Sequence, residues 1–306
     1  MKILVATEKP FAAAAVNGIR DIVQKAGHEL ALLEKYKDKD QLLKAVADAD
    51  ALIVRSDKVT AEVVAAAPDL KIVVRAGAGF DNLDLAACTE RGIVAMNTPG
   101  QNSNAVAELA IAMMIFMSRN QFTPGTGMEI KGKRLGIQAY GNVGRLVAEK
   151  AKALGMEVMA FDPFVPAEKM ITEGVTPAET LEQMYQTCSF ISLHIPAIPA
   201  TIGSINYDLI TRMPKGGCLV NTARKEIINE PELEKALADR PDLKYVTDVA
   251  AACQAELDEK FPKQVFATPK KMGAETAEAN VNAGLAAARQ ICDFFATGCT
   301  EFQLNR

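Results

Sequence analysis

The 306-residue sequence predicts an α/β protein of two doubly wound, parallel-sheet domains, and three observations carry that expectation. Short apolar runs alternate with helical patterns from the first residues onward, the β-α-β-α order of an open parallel sheet covered on both faces. The length exceeds what one small core organises. Residues 133–162, KRLGIQAYGNVGRLVAEKAKALGMEVMAFD, read as strand, glycine turn, helix, strand and terminal acid, the order of a dinucleotide-binding βαβ unit.

In the first part of the chain, strand-like runs at 3–6, 29–33, 51–54 and 72–74 alternate with helical patterns at 12–25, 42–47 and 61–67. Gly27 ends the first helix and Pro68 a later one. Arg75-Ala76-Gly77-Ala78-Gly79-Phe80-Asp81-Asn82 then forms a glycine-rich loop after a strand, where such sheets bind ligands beyond their carboxyl ends. Arg55 and Arg75 both stand just after strands, beside Ser56 and the Gly77-Ala78-Gly79 amides, so the group is suited to two anionic ends, a carboxylate and a phosphate. Lys9 adds a charge nearby. A helix at 85–91 and a strand at 93–96 complete this unit.

Asn97-Thr98-Pro99-Gly100-Gln101-Asn102 is turn chemistry and opens a long apolar helix at 105–118, a candidate hinge. The nucleotide unit therefore starts near residue 98. Its strand, Leu135-Gly136-Ile137, meets the turn Ala139-Tyr140-Gly141-Asn142-Val143-Gly144. Gly141 lets backbone approach a pyrophosphate, Gly144 lets the helix sit close on the strand, and the helix N-terminus attracts the phosphate charge. Gly155 stops that helix. A strand at 156–161 ends in Asp162, 18 residues after Gly144, placed to take ribose hydroxyls and to repel a 2′-phosphate, which points to NAD over NADP. Ala139 replaces the first glycine of the pattern, which the turn accepts only if that residue keeps negative φ.

A helix at 181–186, strands at 190–193 and 217–221, a helix at 231–238 and strands at 244–246 and 265–267 supply the second half of this sheet. The helix at 277–296, the turn at Gly298 and a strand at 301–304 are left over once the sheet is full. They are assigned to the first domain, giving a substrate domain of 1–97 plus 275–306 and an NAD-binding domain of 98–274.

A formal net charge of −4 and a pI near 5.5, with no basic stripe, give no electrostatic case for nucleic acid. The opening MKILVATEKP has an apolar run of only four residues. It reads as neither signal peptide nor membrane span, and the expectation is a cytoplasmic protein with no membrane partner. Six cysteines without C-x-x-C spacing and two histidines, His28 and His194, argue against disulfides and against a metal site. His28, at a helix end, reads as exposed.

The order of motifs resembles the D-2-hydroxyacid dehydrogenases, most closely their short D-3-phosphoglycerate dehydrogenases. The matching segments run nearly end to end: Val54-Arg55-Ser56, the Arg75 to Asn82 loop, Asn97-Thr98-Pro99-Gly100 with Val106-Ala107-Glu108, the cofactor turn, Ser192-Leu193-His194-Ile195-Pro196, Asn221-Thr222-Ala223-Arg224, Thr247-Asp248-Val249 and Thr268-Pro269. The resemblance implies Rossmann-like domains with an active-site cleft between them, NAD as cofactor, and a homodimer joined through the NAD-binding domain. It puts Arg224 on the arginine that binds the substrate carboxylate and polarises its C2 oxygen, a task suited to a permanently charged, two-pronged donor. Asp248 falls on the carboxylate near the nicotinamide. Asn221, Thr222 and Ala223 would line the cofactor, as would His194 and Pro196, and His194 is not the family's acid/base.

Two departures stand out. Five residues after Asp248, where the family has a glutamate, the chain has Cys253. Thr268-Pro269-Lys270-Lys271-Met272-Gly273-Ala274 puts Lys271 in place of the catalytic histidine, and the sequence resembles the phosphoglycerate dehydrogenase subtype that uses lysine there. A lysine protonates the C2 alkoxide directly. To work in the oxidative direction it must lose its proton, and only desolvation and positive neighbours bring an ammonium of ordinary pKa ~10.4 toward neutrality.

The resemblance implies an NAD-dependent D-3-phosphoglycerate dehydrogenase of serine biosynthesis acting on a phosphorylated hydroxy acid. A hydroxypyruvate or glyoxylate reductase is the alternative within the family, needing no arginine pair for a phosphate. An NAD-sensing binding protein is the alternative from another class, suggested by the missing Glu-His pair. With the sequence ending at 306, the serine-binding regulatory domain of longer relatives, and feedback control by serine, are expected to be absent.

Overall fold

The computed structural model describes residues 1–305, which form two compact units: Met1–Asn102 with the chain from Glu275 on, and Ser103–Ala274. The first unit alternates β1 (Lys2–Thr7), α1 (Ala13–Lys25), β2 (Glu29–Glu34), α2 (Lys39–Val46), β3 (Ala51–Val54), α3 (Ala61–Ala65), β4 (Ile72–Arg75), α4 (Leu85–Glu90) and β5 (Val94–Asn97). Its five parallel strands lie in the order β2-β1-β3-β4-β5. Successive side chains of a strand point to opposite faces, so the apolar run of β1 feeds two cores at once. Ile3 and Val5 pack with Ile19 and Val23 on one face, and Leu4 and Ala6 with Leu42 and Val46 on the other.

The second unit contains α5 (Ser103–Ser118), β6 (Arg134–Gln138), α6 (Asn142–Ala153), β7 (Glu157–Phe161), α7 (Ala167–Thr172), β8 (Thr176–Pro177), α8 (Leu181–Thr187), β9 (Phe190–Leu193), α9 (Tyr207–Arg212), β10 (Cys218–Asn221), α10 (Glu230–Asp239), β11 (Lys244–Thr247), α11 (Gln254–Lys260) and β12 (Val265–Ala267). Its seven strands run β12-β11-β10-β9-β6-β7-β8, and every pair is parallel. The chain winds outward from β6 through β7 and β8, then returns on the other side of β6 at β9. That reversal is the topological switch point at which open α/β sheets bind ligands.

The final helix, α12 (Ala277–Thr297), packs on α1 in the first unit. Thr276 caps it by accepting from Ala279 N at 3.1 Å, and Gly298 ends it at φ 72°. Gly18 permits the close approach, since a Cβ there would stand 2.5 Å from Leu285.

Several sequence expectations are corrected. Residues 301–304 are not a strand; only Gln303 makes an isolated bridge, to Met96, with the Asn305 side chain bonding Ala95 N and Ile93 O beside it. His28 is half-buried, its ring edge-on to Phe295 at 5.4 Å between centroids. Ala139 has φ +77°, not a negative value. Its N–H extends the β6 ladder to Phe161 O at 2.9 Å, and the next N–H, that of Tyr140, goes to Asp162 Oδ2 at 2.8 Å. Two consecutive donors tied to consecutive residues of the neighbouring chain segment hold the reversal left-handed in spite of the alanine Cβ. Among the described residues, no helix is long and apolar enough to cross a membrane.

Candidate active site

The second unit gathers the sequence-predicted residues by topology. The carboxyl ends of β6, β9, β10, β11 and β12 and the segments after them carry, respectively, the Ala139–Gly144 turn, His194 with Pro196, Asn221 to Arg224, Asp248, and Thr268 to Gly273. All five strands are parallel neighbours, so all five segments emerge from one edge of the sheet.

At the turn, Gly141 is the N-cap of α6, and nothing lies within 4 Å of where its Cβ would be. Gly141 and Asn142 are exposed, leaving the positive end of a 12-residue helix open. Val143 is half-buried behind them. Gly144 is required for contact, because a Cβ there would stand 2.3 Å from Ala139 O. The Tyr140 side chain turns into the core, donating its hydroxyl to Glu173 Oε2 at 2.8 Å under the Arg145 guanidinium. Burial and the Glu173 carboxylate push its phenol pKa up, so what Tyr140 offers a ligand is backbone. Asp162 is half-buried at the end of β7, with Oδ2 on Tyr140 N and Oδ1 on Phe164 N. Each oxygen retains acceptor capacity for a hydroxyl.

Asn221 is fully buried and does local work: Nδ2 donates to Arg224 O at 2.9 Å, and Oδ1 accepts from Ala223 N at 3.0 Å. These bonds shape the short loop that presents Arg224, which is half-buried. The Asn221 carbonyl also accepts from Thr247 Oγ1 at 2.8 Å and Asp248 N at 3.3 Å, joining the Arg224 loop to the Asp248 loop. Asp248, 1 % exposed, accepts from Gly273 N at 2.8 Å through Oδ2. Burial raises its pKa; the Gly273 N–H, the Lys271 charge and the Arg224 charge pull the other way. Arg224, Asp248 and Lys271 therefore form one electrostatic group, with Lys271 exposed at its rim. The desolvation that would bring Lys271 toward neutrality is not supplied by an exposed side chain.

His194 bonds Ser192 Oγ at 2.9 Å, and burial lowers its pKa to about 4, so near neutrality it is an uncharged imidazole. Pro196 is exposed beyond it. The Cys253 backbone N–H reaches Glu230 Oε2 at 3.3 Å; burial first, and Glu230 second, push the thiol up to about 11. A protonated thiol cannot stand in for a carboxylate. Two buried acceptors, Thr222 Oγ1 and Asp248 Oδ1, have no hydrogen-bond partner in the protein. Orphaned buried oxygens, an open helix N-terminus and a strand-end carboxylate, all at one edge of the sheet, fit the polar edges of a dinucleotide. Sequence reasoning did not single out Gly273, whose role depends on a carboxylate 25 residues upstream.

The first unit carries the other predicted group by itself. Arg55 is half-buried; Nη1 donates to Lys9 O and Pro10 O at 3.1 and 3.2 Å, Nη2 to Asn280 Oδ1, and the guanidinium lies 5.2 Å from the Phe11 ring centre. Arg75 Nε donates to Arg55 O at 3.0 Å. Its guanidinium crosses Gly77 so closely that a Cβ there would meet Nη1 at 1.6 Å. Ala76 and Gly77 are buried, Ala78 and Gly79 half-buried, and Ser56 exposed; the Gly77 amide is already spent on Arg75 O at 2.9 Å.

The sequence model of the D-isomer specific 2-hydroxyacid dehydrogenase catalytic domain matches residues 10–305. An NAD+-bound 3-phosphoglycerate dehydrogenase structure from Entamoeba histolytica is 50 % identical, with a TM-score of 0.88 over 100 % of this chain and 99 % of that one. The D-3-phosphoglycerate dehydrogenase of Methanocaldococcus jannaschii is 36 % identical over 83 % of this chain and 51 % of its own length. A hydroxypyruvate reductase of Thermotoga maritima is 35 % identical over 86 % of this chain and 90 % of its own. The chain thus spans about half the length of the curated phosphoglycerate dehydrogenase it matches.

Proposed function

The chain belongs to the D-isomer specific 2-hydroxyacid dehydrogenases, and from that premise we propose that it interconverts D-3-phosphoglycerate and 3-phosphohydroxypyruvate using NAD. The observation that carries this reading is its likeness, over the whole length of both chains, to the Entamoeba histolytica enzyme.

The α6 N-terminus, the Asp162 carboxylate and the orphaned oxygens of Thr222 and Asp248 would hold NAD, which would supply hydride transfer when bound. Arg224 grips the substrate carboxylate and polarises the C2 oxygen with its two-pronged face. Lys271 gives its proton to the C2 oxygen in reduction and recovers it in oxidation. Asp248 faces both cations, and with its carboxyl ionised it offsets their charge. Arg55 and Arg75 take the phosphate. In the cell the enzyme works in the cytoplasm as a homodimer joined through the Ser103–Ala274 unit.

One observation favours a second reading, reduction of hydroxypyruvate. The Arg55 guanidinium is engaged by two carbonyls, an amide oxygen and a ring, so a phosphate must compete for it. NADH consumption measured in parallel with phosphohydroxypyruvate, hydroxypyruvate and glyoxylate decides between them. The proposal expects the highest kcat/KM on the phosphorylated acid. A preference for hydroxypyruvate would install the second reading, and NADH binding without consumption of any of the three would make the protein a sensor.

A further inference from the structure

We propose that Asp57 is the positioning residue of the anion-binding loops in the first unit, a role that rests on the reading of Arg55 and Arg75 as the phosphate ligands. Asp57 is 6 % exposed, and its carboxylate is met by donors from three separate loops. Oδ1 accepts from Glu8 N, after β1, at 2.7 Å and from Tyr36 Oη, after β2, at 2.8 Å; Oδ2 accepts from Arg55 N, after β3, at 3.3 Å. A buried carboxylate is costly unless hydrogen-bonded, and bonds of this kind are strong where water is excluded. Their combined effect is to fix the spacing between the loop that carries Lys9 and the loop that carries Arg55.

The rest of the clasp depends on that spacing. Arg55 Nη1 reaches the Lys9 and Pro10 carbonyls only if the Glu8 backbone stays against Asp57. Asn82 Nδ2, at the end of the glycine-rich loop, closes the group, donating to Asp57 O at 2.7 Å and Arg55 O at 3.3 Å. Arg75 Nε donates to the same Arg55 carbonyl. Both arginines are thus referenced to one buried acid, which presents an acceptor to every donor that meets it. Burial and the Asp57 carboxylate together hold the Tyr36 phenol protonated, so it stays a donor across the physiological range.

An asparagine at 57 keeps Oδ1 and its two donors but sets an NH2 against the Arg55 N–H, breaking one bond and keeping the shape. Asp57→Asn should raise KM for phosphohydroxypyruvate by about tenfold, the scale of one lost bond to a charged group. KM for hydroxypyruvate and the dissociation constant for NADH should stay within about twofold, below the scale of such a bond. Tyr36→Phe, which keeps all backbone bonds, guards against misfolding and should shift KM in the same direction by about threefold. Equal rises on both substrates, or a phosphohydroxypyruvate KM like that of the unsubstituted enzyme in both variants, would overturn the proposal. Arg55→Ala separates this from failure of the phosphate reading. Should Arg55→Ala change the two KM values alike, the phosphate reading fails; should it act on the phosphorylated substrate alone while Asp57→Asn does not, only the positioning role fails.

Discussion

The Gly273 N–H donates to Asp248 Oδ2 at 2.8 Å, and a Cβ on Gly273 would stand at the same 2.8 Å from that oxygen. The bond and the absent side chain are one requirement, because backbone from the Lys271 segment comes close enough to hold the carboxylate only without a Cβ. Gly273→Ala must push the two segments apart and leave a buried carboxylate short of a donor, a loss of about 1–3 kcal/mol. Its urea midpoint should fall, and kcat with phosphohydroxypyruvate should fall with it. Full stability and turnover in Gly273→Ala would show that Asp248 does not need this support.

Ala139 offers the opposite case, a residue held where glycine would be more comfortable. At φ +77° its Cβ crowds the backbone, a strain of about 1 kcal/mol that glycine does not carry. Ala139→Gly should raise stability toward urea by about that amount and preserve NADH affinity, since the turn is already in shape. A drop in stability would mean that the alanine methyl contributes packing worth more than the strain.

Why some of this was legible in the sequence and some was not follows from distance along the chain. Strands 190–193 and 265–267 are short, mainly apolar runs, the second closed by Thr268-Pro269, and the βαβ of residues 133–162 carries its punctuation at Gly141, Gly144, Gly155 and Asp162. The helices Ala167–Thr172, Tyr207–Arg212 and Gln254–Lys260 span six or seven residues and go unmarked in the sequence, although Ala61–Ala65, Leu85–Glu90 and Leu181–Thr187, no longer than these, are marked. The sign of φ at Ala139 depends on hydrogen bonds to Phe161 and Asp162, and the inward turn of Asn221 on a loop it closes three residues later. The order of motifs points to Arg224 and Lys271, whereas nothing local in the sequence marks Asp57, whose donors Glu8 N and Tyr36 Oη lie 49 and 21 residues away along the chain.

His194 makes acid stability testable. Its pKa falls from an ordinary ~6.5 unfolded to about 4 folded, because burial disfavours the charged ring. Between those values the unfolded chain binds a proton that the folded chain refuses, so stability is full above the unfolded pKa and declines as pH drops toward 4. The loss should be on the order of 1–3 kcal/mol for this half-buried ring. His194→Gln should flatten that part of the profile in urea titrations at several pH values. Parallel profiles for the two proteins would assign the acid sensitivity to other groups.

Lys271 carries the chemical step in the proposed reaction, and its surroundings sharpen the test. It shares the Asp248 carboxyl with Arg224, and the neutral thiol of Cys253 offers no charge to orient a ring. General acid/base catalysis contributes ~10² to ~10⁴ in rate, so Lys271→Ala should lose about that much kcat with NADH affinity nearly intact. Lys271→His should recover only part of the loss, because an imidazole there lacks a partner to fix its tautomer. Oxidation requires the neutral amine, so the forward rate of Lys271 enzyme should climb with pH through an apparent pKa above that of a histidine, and the Lys271→His profile should move to lower pH. If Lys271→Ala kept turnover within about threefold, far inside the range for a lost acid/base, the proton would have to travel by another route, with His194 or a bound water as the next candidates.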